Sequence, residues 1–136
     1  MADQKINGAL YRSMVIEGAL AIAEKKEQAN ELNVFPVPDG DTGTNMSLTA
    51  TAMATELLKK GDTTLTKAAD TMSFATLRGA RGNSGVILSQ LLRGFTKSIK
   101  TESEIDVPAL ARAAVRAKET CLLYTSPSPR DKRQSR

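Results

Sequence analysis

Apolar residues recur every three or four positions along most of this chain, and this spacing restricts its fold more than any other feature. The first stretch covers roughly residues 5 to 28 and places one set of residues on a common face: Ile6, Leu10, Met14, Ala21 and Ile22. The later stretches are 44–57, 65–75, 86–95 and a last one that Asp106 caps. No segment alternates apolar and polar residues as a half-buried strand does. The sequence therefore predicts an all-α fold of about five helices.

The composition limits both the size and the chemistry of the protein. The chain has 136 residues, which suits one domain. No apolar run reaches the roughly 18 to 20 residues of a membrane span, and the start lacks the order of a signal peptide. We therefore expect a cytoplasmic protein with no membrane span. Histidine is absent, which excludes Ser-His and Cys-His nucleophile pairs and leaves acid-base chemistry and metal binding to carboxylates.

Residues 121–136 differ from the rest of the chain. They carry four basic residues and one acidic residue, which leaves 15 basic and 14 acidic residues in 1–120, so most of the net charge of +4 lies in this tail. Without the tail the net charge is +1 and no basic stripe interleaved with aromatic residues remains, so nucleic-acid binding is not expected. The stretch from Cys121 to Asp131 resembles the translated transposase adapter of a common sequencing library. We predict that 1–120 are the N-terminal part of a domain and that 121–136 are a non-native, disordered tail.

The first candidate site is the loop 37–46, Val-Pro-Asp-Gly-Asp-Thr-Gly-Thr-Asn-Met. Asp39 and Asp41 are separated by one glycine and can bind the same hard cation, while the amides at the following helix start favour an anion. The alternative is an ordinary turn in which Asp41 or Thr44 caps the helix. A calcium loop does not fit, because Thr44 stands where that loop requires glycine.

The second candidate site is the segment 79–85, Gly-Ala-Arg-Gly-Asn-Ser-Gly, directly before an apolar helix. Glycines allow backbone amides to approach phosphate oxygens closely, and a helix start favours their negative charge. The alternative is a helix junction in which Gly79 ends one helix and Asn83 or Ser84 caps the next. A carboxylate pair in one segment and an anion site in the other together favour binding of a metal-nucleotide complex.

Residues 33–46 and 79–90 resemble the two signatures of the DhaL-type nucleotide-binding domain of bacterial fatty acid kinase. That domain is similar to the nucleotide-binding subunit of dihydroxyacetone kinase, also called glycerone kinase. The resemblance covers essentially all of residues 5–119 and implies a barrel of antiparallel helices that binds ATP or ADP and Mg²⁺ at one end. A domain of this kind has on the order of 200 residues, so the resemblance implies a barrel truncated to about five helices and inactive alone.

The resemblance also implies residue roles. Asp39 and Asp41 match the magnesium-binding carboxylates at the catalytic centre, and Asn33 stands where the neighbourhood offers a further metal ligand in place of a third aspartate. The implied nucleotide-binding residues are Thr42, Gly43, Thr44, Asn45, Gly82, Asn83, Ser84 and Gly85.

The activity implied is ATP-dependent transfer of the γ-phosphoryl group to a fatty acid that a separate carrier protein presents, giving an acyl phosphate. The acceptor carboxylate is already ionised and requires no general base, which agrees with the absence of histidine. One alternative is a dihydroxyacetone kinase nucleotide-binding subunit, whose acceptor is a hydroxyl. Another is a non-enzymatic helical interaction module, and a homodimer is compatible with each of these interpretations.

Overall fold

The computed structural model describes residues 5–33, 40–61 and 64–125. They form six helices: α1 Gly8–Glu24, α2 Lys26–Glu31, α3 Thr42–Lys60, α4 Leu65–Gly79, α5 Gly82–Ile99 and α6 Val107–Thr125. The extended structure in these ranges is one isolated antiparallel bridge between Ile6 and Ile105. The predicted all-α fold is confirmed. None of the helices described combines the length and the apolar composition needed to cross a membrane.

The first predicted helix is two helices, which raises the number from about five to six. The break lies at Lys25, where φ is −100° and ψ is 7°, and its N–H donates to the carbonyls of Ala21 and Ile22. The change of direction brings the backbone of Lys26 against Gly43 of α3, where an added Cβ would overlap the Lys26 carbonyl. A break of one residue hardly alters the spacing of apolar residues, so periodicity does not reveal it.

The buried face of α1 differs in part from the predicted one, although Ile22 packs against the core as predicted. Leu10 and Met14 are 47% and 44% exposed, whereas Tyr11 and Ala19 are each 3% exposed. Tyr11 stacks against Phe95 of α5, with 6.3 Å between the ring centroids. The face that packs inward follows the helical spacing Tyr11, Val15, Ala19 and Ile22. Burial of an aromatic ring removes more apolar area from water than burial of Leu10, which explains this rotation of the helix.

Three central helices position the candidate site. Because only Ala80 and Arg81 join α4 to α5, and the two helices pack together, they run antiparallel. α3 contacts α4 and α5 and also packs on α1 and α2. Met46, which the spacing also predicted, is only half-buried. The other residues of α3 and α4 predicted from the spacing are buried: Thr49, Ala50, Met53, Leu57, Leu65, Ala68, Ala69, Met72 and Ala75.

An apolar cavity of about 300 Å³ lies between α1, α3, α4, α5 and α6. Met53, Met72 and Leu92 are among its lining residues. The hydroxyl of Tyr11, another lining residue, is buried and has no hydrogen-bond partner among the described residues. Burial raises the pKa of the Tyr11 phenol, because the phenolate would lose its hydration. None of the lining residues is charged, and the Tyr11 hydroxyl is the polar side-chain group among them, so this cavity does not suit a phosphate.

The start of α6 confirms the predicted cap. The Asp106 carboxylate accepts a hydrogen bond of 2.9 Å from the Ala109 amide. This bond, together with the charge of Lys5 at 3.8 Å, holds the pKa of Asp106 below its usual value. The ionised side chain therefore satisfies one of the amides that every helix start leaves without an intrahelical partner.

Candidate functional site

The starts of α3 and α5 lie side by side, although they are far apart in the sequence. Asn45 lies in the first turn of α3, and its side chain packs so closely on Gly82, the first residue of α5, that an added Cβ would overlap it. One turn further along α3, the Thr49 hydroxyl accepts a hydrogen bond of 3.1 Å from the Arg81 amide. The fold therefore brings the two segments that the sequence singled out to one place.

The amides at the start of α3 are largely bound by two asparagines. The Asn33 Oδ1 accepts from the amides of Asp41 at 3.0 Å and Thr42 at 3.2 Å. The Asn30 Oδ1 accepts from the amide of Thr44 at 3.0 Å, and its Nδ2 donates to the Thr44 hydroxyl at 2.9 Å. These side chains, rather than Asp41 or Thr44, cap the helix. The expected set of free amides facing an anion is therefore much reduced at this start.

Gly43 is a predicted nucleotide contact whose place in the structure has another explanation. It is buried, and an added Cβ would overlap the backbone of Lys26. Backbone atoms of a helix cannot move aside as the end of a flexible side chain can. Helix packing between α2 and α3 therefore requires glycine at this position, whether or not a ligand binds there.

The predicted metal ligands are only partly described. Asp39 lies outside the described residues. Asp41 occupies the N-cap position of α3, but its carboxylate makes no capping hydrogen bond and is exposed. Asn33 uses its amide oxygen to cap α3. Within the described ranges, no three His, Cys, Asp or Glu side chains come together as a metal site. The assignment of these three residues to a metal stays a prediction, with Asp41 the described carboxylate available for it.

The glycine-rich segment before α5 is shorter than the sequence suggested. α4 extends through Gly79 and α5 begins at Gly82, so only two residues lie between the helices. The N-cap is Arg81, which makes no side-chain capping bond. The expectation that Asn83 or Ser84 caps this helix is wrong, because both lie inside its first turn.

The start of α5 differs from that of α3 in the hydrogen bonds of its first amides. Among the described residues, no acceptor meets the amides of Gly82, Asn83 or Ser84. Gly82 has φ of +68°, a conformation that glycine adopts without steric cost. Free amides and the positive end of the helix dipole favour an anion at this position. Asn83 is exposed, Ser84 is half-buried and Gly85 is buried.

Two residues of this region were not singled out in the sequence. Asn30 lies in α2, just beyond the first predicted helix, and reaches the start of α3 across 14 positions of the sequence. No sequence pattern indicates that contact. Thr49 carries a weak signal, because it is a polar residue within the helical spacing of Met46, Ala50 and Met53.

Comparison with curated proteins found relatives in staphylococci. An uncharacterized protein of Staphylococcus haemolyticus is 50% identical over 107 residues, which cover 79% of this chain and 19% of the relative. An uncharacterized protein of Staphylococcus aureus is 48% identical over 116 residues, which cover 85% of this chain and 21% of the relative. The chain therefore spans about a fifth of the length of these relatives.

The profile of the DAK2 domain matches residues 36–132, a range that includes both helix starts. The match also includes part of the segment 121–136, whose non-native origin stays a prediction. Residues 121–125 of that segment continue α6, so the expectation of disorder is wrong for these residues. Since the match covers more than half of the chain, the side-by-side helix starts belong to a domain of known type. The chain is a member of the DAK2 domain family, a kinase-related family of nucleotide-binding domains.

Proposed function

We propose that the starts of α3 and α5 bind magnesium-ATP and that the domain serves transfer of the γ-phosphoryl group to a carrier-bound fatty acid. The observation that carries this proposal is the contact between the two starts, Asn45 against Gly82 and Thr49 against Arg81. The proposal is supported by the exposed Asp41 carboxylate at the start of α3 and by the α5 amides, which meet no acceptor among the described residues. A metal-nucleotide complex requires both, because its cation prefers oxygen ligands and its phosphates prefer N–H donors.

The residues fit this ligand in different ways. The amides of Gly82, Asn83 and Ser84, together with the Ser84 hydroxyl, would bind phosphate oxygens. At the α3 start, the side chains of Thr42 and Asn45 would contribute, since the neighbouring amides are already bound to Asn30 and Asn33. Asp41 would hold magnesium, with Asp39 as the second carboxylate. Magnesium supplies neutralisation of the negative charge on the phosphates.

The phosphoryl acceptor determines whether the protein must supply a general base. In the proposed reaction an oxygen of the fatty acid carboxylate bonds to the γ-phosphorus while the bond from that phosphorus to the bridging oxygen breaks, giving an acyl phosphate and ADP. A fatty acid carboxylate is already ionised at neutral pH and needs no base. Positioning and charge neutralisation therefore suffice, in keeping with a chain that has no histidine.

Calorimetric titration of magnesium-ATP into the full-length gene product tests the proposal, since this chain spans only about a fifth of its relatives. We expect Asp41→Asn to weaken magnesium-dependent binding strongly and to lower turnover by several orders of magnitude. Helix content should not change, because the Asp41 carboxylate makes no capping hydrogen bond. Asp70→Asn is the matched control, since it removes an exposed carboxylate from the middle of α4.

The outcomes separate the three interpretations of the sequence. Full activity in Asp41→Asn would rule out the metal assignment. Phosphorylation of dihydroxyacetone instead of a carrier-bound fatty acid would identify the alternative kinase. A full-length protein that binds no magnesium-ATP would be a helical interaction module.

A further inference from the structure

We propose that Thr49 is a positioning residue that sets the affinity of the site for nucleotide phosphates without touching them. It does so by fixing the start of α5 against the start of α3. The inference rests on the proposed function, because it concerns the same phosphate-binding amides. It adds a residue that acts through the backbone of α5 and not through the ligand.

The hydroxyl of Thr49 bridges the two helices. Thr49 is fully buried, at 0% exposure. Its Oγ1 donates to the carbonyl of Asn45, one turn earlier in α3, at 2.8 Å, and it accepts from the Arg81 amide at 3.1 Å. Arg81 is the N-cap of α5 and directly precedes Gly82. Among the described residues, this is the hydrogen bond that joins α3 to the start of α5.

Two glycines of α5 leave room for this contact. An added Cβ on Gly85 would overlap the Thr49 hydroxyl, and an added Cβ on Gly82 would overlap the Asn45 side chain. Asn45 and Thr49 are four residues apart and therefore lie on the same side of α3. Two glycines of α5 thus admit two polar side chains of α3, which explains the close approach of the helices without reference to a ligand.

The consequence for phosphate binding follows from geometry. Hydrogen bonds weaken steeply when donor and acceptor are misaligned. The amides of Gly82, Asn83 and Ser84 directly follow Arg81 in the chain, so the bond at Arg81 helps to fix the position from which they start. If the Thr49 hydroxyl is removed, the Arg81 amide loses the acceptor of its partly buried hydrogen bond and the start of α5 is free to shift.

The test compares three variants in the full-length gene product. Thr49→Val keeps the shape of the side chain and removes the hydroxyl, whereas Thr49→Ser keeps the hydroxyl. Thr76→Val is the matched control: Thr76 is also fully buried, but its hydroxyl donates only to Met72 and Ser73 of its own helix. The two measurements are calorimetric titration with magnesium-ATP and hydrogen exchange of the Arg81 amide.

We expect Thr49→Val to weaken magnesium-ATP binding by about tenfold and to accelerate exchange of the Arg81 amide. Thr49→Ser should restore both properties, and Thr76→Val should bind nucleotide as the wild type does even if its stability falls. Equal loss of affinity in Thr49→Val and Thr76→Val would overturn the proposal, because it would show a general effect of stability. Unchanged affinity or unchanged Arg81 exchange in Thr49→Val would also overturn it.

Failure of the proposed function gives a different result. In that case the wild-type protein itself binds no magnesium-ATP, and the proposed effect of Thr49 on nucleotide affinity is overturned together with the proposed site. Binding by the wild type, with no dependence on the Thr49 hydroxyl, overturns the positioning role alone.

Discussion

The starts of α3 and α5 are both rich in glycine and small polar residues, yet they differ in how their first backbone amides are hydrogen-bonded. At α3, Asn30 and Asn33 bind the amides of Asp41, Thr42 and Thr44. At α5, no acceptor among the described residues meets the amides of the first turn. The first start is therefore capped by side chains of its own chain, whereas the amides of the second meet no acceptor within the described ranges.

The glycines differ in the same sense. Gly43 lies under the backbone of Lys26, so helix packing requires it. Gly82 has a positive φ and lies beside the Asn45 side chain, which can move more easily than a backbone. A glycine-rich helix start in a sequence thus indicates that another group approaches the backbone closely. Only the fold shows whether that group is a neighbouring helix or could be a ligand.

The largest expected effect on stability follows from Gly43→Ala. Its added Cβ would overlap the Lys26 carbonyl and force α2 away from α3, so we expect a loss of about 3 kcal/mol in the free energy of unfolding. Gly18→Ala is the control, because nothing lies within 4 Å of the added Cβ; it should stabilise α1 by about 0.5 to 1 kcal/mol. Denaturant unfolding measures both. Similar stabilities for the two variants would contradict the packing role of Gly43.

A smaller loss is expected from Asn33→Ala. It leaves the amides of Asp41 and Thr42 without their acceptor, and we expect a loss of about 1 to 2 kcal/mol in the free energy of unfolding. Asn33→Asp keeps an acceptor oxygen and should restore most of the stability. Asn83→Ala, which changes an exposed asparagine at the α5 start, should alter stability by less than about 0.5 kcal/mol. Equal losses in Asn33→Ala and Asn83→Ala would erase the difference between the two starts.

The smallest effect on stability is expected from Ser84→Ala. Ser84 makes no capping bond in the structure, so the free energy of unfolding should change by less than about 0.5 kcal/mol. Affinity for magnesium-ATP should fall by about 1 to 3 kcal/mol, because a hydrogen bond to a charged phosphate is lost. Thermal unfolding and calorimetric titration of the same sample separate the two quantities. A drop in stability with unchanged affinity would show that Ser84 serves the helix and not a ligand.

The sequence by itself determined the helices and the two segments of interest. Spacing of three to four residues identified α3 and α4 and their buried faces, since helix geometry and burial both act through that period. Asp106 identified the start of α6 because capping is a local interaction between residues three apart. The family was also evident from the two motifs, because each motif is a continuous run of residues that can be recognised without the fold.

Only the tertiary structure decided how those parts meet. Three features depend on which helix packs against which. They are the break at Lys25, the burial of Tyr11 in place of Leu10, and the capping of α3 by Asn30 and Asn33. The bond from Arg81 to Thr49 spans 32 residues. Such contacts follow from the packing of whole helices, whereas spacing within one helix carries no information about its neighbour.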